Sequence, residues 1–224
     1  MTTSLPSKQL STWDASKQQR WRQQHPDKQW LFHFVLDASP SMCPYADALV
    51  NAYNLYLRWL QRTASPMSMA ETRCFSLRLQ AGTMQALGSL PLLTRQTYRP
   101  EEGDGTALYN AIGDVCSAAT QAGQHVLVLF TDGQDCAVEP AWTAEKVNAV
   151  LTTLQEEAGW LCVFLGAFFQ ALRVAEAMGF HPGNTLEFPN ERIPEAFATL
   201  KHATQRYLTA NAETRKLLAA GGIF

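Results

Sequence analysis

Asp37-Ala38-Ser39-Pro40-Ser41 closes the apolar run Trp30-Leu31-Phe32-His33-Phe34-Val35-Leu36. One carboxylate and two hydroxyls arrive together in a loop where a buried strand gives way to a helical pattern. Hard oxygen donors grouped in this way suit a small divalent cation, Mg²⁺ or Mn²⁺. Two further segments carry matching oxygens. Gly103-Asp104-Gly105-Thr106 is a turn ending in a hydroxyl at a helix start, and Thr131-Asp132-Gly133-Gln134-Asp135 follows the apolar run His125-Val126-Leu127-Val128-Leu129-Phe130. A cation held mainly by neutral hydroxyls keeps much of its positive charge for use on another molecule.

The elements that must position these loops alternate along the chain. Apolar runs predict strands over 30–36, 74–79, 125–130, 160–166 and 185–188, with a weakly signalled hairpin partner after 79. Helical spacing covers 45–63, 106–121, 142–157, 168–178 and 193–209; Ala46, Leu49, Val50, Tyr53, Leu57 and Leu60 mark one face of the first, and Pro44 suits its first turn. Strands alternating with helices predict an α/β fold: a doubly wound, Rossmann-like, mostly parallel sheet of about six strands flanked by helices. Ligands of such sheets gather beyond the carboxyl ends of the strands, where Asp37 and Asp132 both lie.

The 224 residues suit one domain over 30–210, with an extension at 1–29 and a tail at 211–224. The extension is glutamine-rich and basic, with five cations against two carboxylates. Leu10, Trp13, Lys17 and Trp21 predict a short helix there that packs its tryptophans on the domain, and Ser11 with Asp14 resembles its cap. A net charge of −2 points to neither nucleic acid nor an anionic membrane. No apolar run reaches the ~20 residues that span a bilayer, and the first residues lack a secretory-signal pattern. The five cysteines show no paired spacing, which fits reduced thiols in a cytoplasmic protein. Cys43 and Cys136 lie near the oxygen-rich loops but are expected to be incidental there, since Mg²⁺ prefers oxygen.

Here the chain resembles the von Willebrand factor A (vWA) domain family, over roughly residues 30–210. Its metal-ion-dependent adhesion site (MIDAS) is written Asp-x-Ser-x-Ser, then a distant Thr, then a distant Asp, often within Thr-Asp-Gly. All five positions are filled in order, by Asp37, Ser39, Ser41, Thr106 and Asp132. The segment Leu165-Gly166-Ala167, Ala171, Val174-Ala175, Gly179 and Gly183-Asn184-Thr185 is similar to the last third of small stand-alone bacterial and phage members. The resemblance implies that Ser39 and Ser41 bind the metal directly. Thr106 would bind directly or through water, and Asp37 and Asp132 mostly through water. It further implies a non-catalytic bacterial adaptor or scaffold in which a partner's Glu or Asp completes the coordination, sometimes beside an AAA+ ATPase. Pro40 departs from the small residues common at that position; it biases Ser39 towards an extended backbone, which the motif accommodates. Asp135 is expected to cap a loop, and Asp104 to be solvated.

Two other readings compete. A haloacid-dehalogenase-type phosphatase would need an Asp at position 39, where Ser stands. Gly-x-Ser-x-Gly and P-loop patterns are absent, and Gly103-x-Gly105 lacks a third glycine. A bound Mg²⁺ could still activate water, so a metal-dependent hydrolase stays as one alternative. The other is a structural interaction module whose site is empty. The five histidines show no ligand spacing and are expected to be structural.

Overall fold

Uninterrupted apolar runs form the middle of the sheet, because a strand covered on both faces has no solvent side for polar residues. β1 (Trp30–Asp37), β4 (Gln124–Thr131) and β5 (Leu161–Gly166) pair parallel and are buried almost throughout. β2 (Met69–Phe75) runs parallel to β1 on its other side, and the two-residue β3 (Gln85–Ala86) adds antiparallel to β2. The short β6 (Thr185–Glu187) pairs parallel with β5. The order is β3-β2-β1-β4-β5-β6, a mixed and mostly parallel six-stranded sheet as expected. The computed structural model describes residues 14–24, 29–119, 122–137 and 141–224.

Helices α1 (Ala15–Gln24), α2 (Ala46–Thr63), α3 (Leu108–Ala118), α4 (Ala144–Glu156), α5 (Ala171–Ala177), α6 (Ile193–Thr209) and α7 (Ala212–Gly221) follow in chain order. Alternate residues of each strand point to opposite faces. Phe32, Phe34, Leu36, Val128 and Phe130 pack with Tyr53, Tyr56 and Leu57 of α2 and Phe197 and Leu200 of α6. Val35, Leu127, Leu129 and Phe164 pack with Ile112 and Val115 of α3 and Val147 and Leu151 of α4. The expected inward face of α2 is buried, but Pro44 lies in a 3-10 turn, Pro40–Tyr45, that precedes the helix.

The N-terminal helix is capped by Asp14, whose Oδ1 accepts from Lys17 N–H at 2.8 Å. Leu10, Ser11 and Trp13 lie outside the described residues, as does the expected packing of the Trp21 side chain. The tail is helical in α7 and then tied down. Ile223 is buried, and its N–H reaches Asn184 Oδ1 at 3.0 Å and Gly183 O at 2.9 Å.

β2 departs from the sequence expectation of a strand over 74–79. Glu71 and Arg73 hide it, because charges are rare inside a buried strand. Here each has a partner. Glu71 accepts from Arg73 Nε at 2.8 Å and from His33 Nδ1 at 2.7 Å. His33 Nε2 lies 3.0 Å from His125 Nδ1, and the His125 ring stacks on Trp160 at 4.1 Å. The apolar Leu77 and Leu79 fall instead in a tight turn closed by Gln80 N–H on Cys74 O at 2.8 Å.

Candidate metal centre

β1 and β4 are neighbours, yet the chain pairs β1 with β2 on one side and β4 with β5 on the other. This reversal opens a crevice at the carboxyl ends of the two central strands. Asp37 is the last residue of β1, and Asp132 is the first beyond β4. Ser39 is extended (φ −68°, ψ 160°), as its position before Pro40 requires, and Pro40 opens the 3-10 turn that presents Ser41.

A chain of hydrogen bonds links the first and third loops. Asp37 Oδ1 accepts from Ser39 N–H at 2.8 Å, and its Oδ2 from Thr131 Oγ1 at 2.5 Å. The Tyr98 hydroxyl donates to Asp37 O at 2.5 Å, fixing the strand end from below. Ser39 Oγ stands 3.0 Å from Ser41 Oγ, which donates to Asp132 Oδ1 at 2.8 Å. Neighbouring ligands in an octahedron of about 2.0–2.1 Å bonds stand roughly 2.9 Å apart. The 3.0 Å between Ser39 Oγ and Ser41 Oγ matches that edge, and Asp132 lies beyond them where it can accept from a metal-bound water, so this donor set fits Mg²⁺ or Mn²⁺ in spacing and in chemistry.

The second loop comes close because glycine lets it. A Cβ on Gly103 would stand 2.3 Å from Ala38 O, and Gly105 adopts φ +142°. Thr106 is buried at the end of this loop, and a Cβ on Gly133 would lie 3.9 Å from its Oγ1. All three predicted loops therefore converge, with Thr106 against the third loop and outside the chain of hydrogen bonds that joins Ser39, Ser41 and Asp132.

Several supporting roles differ from the sequence expectation. Cys136 is engaged with the second loop: its Sγ accepts from Thr106 N–H at 3.0 Å, and its own N–H donates to Thr106 O at 2.8 Å. Asp104 is exposed but engaged, accepting from Ser76 Oγ at 3.0 Å and Leu77 N–H at 3.3 Å. Asp135 caps as expected, its Oδ1 accepting from Tyr109 N–H in the first turn of α3 at 3.1 Å. Thr131 carried a signal in the Thr-Asp-Gly triplet. Tyr98 carried none, since its role depends on a contact 61 residues away in sequence.

Burial dominates the electrostatics. It pushes the Asp37 carboxyl up to about 6, against the lowering effect of its bonds to Thr131 and Ser39. Asp132 is raised as well, again first by burial, with Ser41 and Ser39 opposing. None of the salt bridges among the described residues involves either carboxylate. Two carboxylates driven towards protonation, without a basic partner, are the environment a cation would relieve. No group of three or more His, Cys, Asp or Glu among the described residues forms a metal cage. A cleft of about 770 Å³, lined in part by Glu156, Gly159, His181 and Arg215, lies at the other end of the sheet and includes none of the five candidates.

Comparison with solved structures bears on this arrangement. The vWF domain of the type V pili tip protein Mfa5 from Porphyromonas gingivalis superposes with a TM-score of 0.63 at 8% identity, covering 83% of this chain and 98% of that one. The chain has the von Willebrand factor A fold. The PilB minor pilin from Streptococcus sanguinis gives a TM-score of 0.61 at 12% identity, over 81% of this chain and 62% of that chain. Proximal thread matrix protein 1 from the mussel byssus, with a zinc-occupied MIDAS motif, gives 0.53 at 14% identity over 79% of this chain. The chain spans about half (48%) of that mussel protein's length. No family model matches the sequence, and no curated protein matches it. Within the vWA fold, the crevice at β1 and β4 holds the hydrogen-bonded Asp37, Ser39, Ser41 and Asp132, with Thr106 beside Gly133.

Proposed function

We propose that this chain is a metal-dependent protein-interaction domain. Asp37, Ser39, Ser41, Thr106 and Asp132 would hold Mg²⁺ or Mn²⁺, and a partner's Glu or Asp would complete the site. The observation that carries this reading is the Ser39–Ser41 hydroxyl pair at 3.0 Å, tied to Asp132 by a 2.8 Å hydrogen bond beside buried Asp37. A bound divalent cation supplies an electrophilic centre that the hydroxyl donors leave short of negative charge. Asp37 orients the Ser39 backbone, Thr131 holds Asp37, and Cys136 holds Thr106.

Support for a protein partner comes from the placement. Ser41 is exposed, so the site opens on the surface of the strand-end loops, apart from the cleft at the other pole. Solved structures with this fold include pilus proteins and a byssus matrix protein, and one of them has a zinc-occupied MIDAS. The role fits an adaptor or scaffold with no catalytic group assigned, and an AAA+ ATPase is one class of partner. Free cysteines among the described residues, three of them buried, fit a reducing cytoplasm.

Thermal unfolding tests the reading. A hundredfold excess of metal over Kd adds about 2.7 kcal/mol, roughly 5–10 °C at this chain length. Ser41→Ala and Asp37→Ala are expected to abolish that rise. The exposed Ser41 variant guards against misfolding of the buried one. No rise with either Mg²⁺ or Mn²⁺ at saturating concentration refutes the metal site. Phosphate-ester turnover in Mg²⁺ that is lost in Ser39→Ala would favour a hydrolase instead.

A further inference from the structure

Two apolar side chains project from the loops on either side of the candidate metal centre. Phe169 is 83% exposed, three residues beyond β5, and Leu172, three residues further on in the first turn of α5, is 41% exposed. The turn that presents it includes Gln170 at φ +72°, the non-glycine residue with positive φ among those described. Leu77 is 39% exposed, two residues beyond β2, and its N–H is held by Asp104 Oδ1 at 3.3 Å. A buried side chain at either position would need no explanation; an aromatic held out by a strained turn beside a binding loop does.

The spacing is informative. Neighbouring strands are about 4.8 Å apart, so the ends of β2 and β5, three intervals apart across β1 and β4, stand roughly 14 Å from each other. The oxygens of the metal centre follow β1 and β4, midway between. In an extended peptide, residues i−2 and i+2 are about 13–14 Å apart and share a face with residue i. Charge adds a second constraint. Residues 37–46, 103–107 and 131–137 contain Asp37, Asp104, Asp132 and Asp135 and no Lys or Arg. Within those loops an acidic ligand thus meets carboxylates everywhere except at the cation; the exposed Arg78 and Arg173 lie outside them, next to Leu77 and Leu172.

We infer that the partner segment is an extended apolar-x-acidic-x-apolar peptide, its acidic residue over the metal and its two apolar residues against Phe169 and Leu77. This deepens the metal-docking reading and rests on it. The test is a phage-displayed nonapeptide library with a fixed central Glu, selected on the full chain in millimolar Mg²⁺. Leu, Ile, Phe or Trp should be enriched at least threefold at both positions two residues from the Glu. Phe169→Ala should erase the preference on one side and Leu77→Ala on the other, each weakening a selected peptide about tenfold. Phe169→Tyr, which keeps the ring, should restore it. Selected peptides that bind through Glu and Mg²⁺ with no preference at those flanks overturn this inference and leave the docking reading intact. Peptides indifferent to chelator overturn both. Recovery of no peptide on protein that shows the metal-induced thermal rise also overturns the inference.

Discussion

Glu71 is a charge that the sheet accepts only because His33 and Arg73 meet it. Burial alone would raise its pKa, but those two partners together hold it below the ordinary 4.5. A carboxyl depressed on folding stabilises the native state above its unfolded pKa, and that contribution disappears as pH falls through the depressed value. Glu71→Gln is therefore expected to cost most stability at neutral pH, with the gap from wild type narrowing once pH drops below about 4.5. Urea unfolding of both proteins at pH 7 and pH 3.5 checks it; an equal gap at the two pH values would show that the ion pairing does not set the effect. The same residue explains a misread strand. Its partners come from β1 and from a residue two positions along β2, and no local pattern announces such pairing. Tyr98 is equally silent in sequence, whereas Asp37, Ser39, Ser41, Thr106 and Asp132 were legible because each follows a strand or opens a helix.

At the level of elements, strands with apolar runs on both faces (β1, β4 and β5) could be read directly, and β2 could not. The loops between them carried more information than their composition suggested. Gly103 is required by proximity, since any side chain there runs into the Ala38 carbonyl. Gly103→Ala is expected to push the Thr106 loop outward, costing about 1–3 kcal/mol and most of the metal-dependent rise in Tm. Far-UV circular dichroism should stay unchanged. Retention of the full rise would mean that Thr106 reaches the site by another route. A tighter contact separates α3 from the segment before α4, where a Cβ on Gly113 would enter the Trp142 ring at 2.0 Å. That glycine serves packing rather than the metal centre.

Across the whole molecule, the anchored C-terminus and the candidate metal centre occupy opposite poles. Ile223 is buried against the turn before β6, with Arg206 donating to its carbonyl, while the metal loops lie at the carboxyl ends of the strands. Ile223→Ala is expected to cost about 2–5 kcal/mol while preserving the increment that Mg²⁺ adds to Tm. Loss of that increment in a still-folded variant would show that the poles are coupled. The margins of the sheet have their own consequence. β3 offers two residues and β6 three, so neither flank presents a row of unsatisfied amides long enough to recruit a foreign strand. Lateral annealing of one molecule onto the next is thereby discouraged, and a binding protein gains little by extending the sheet.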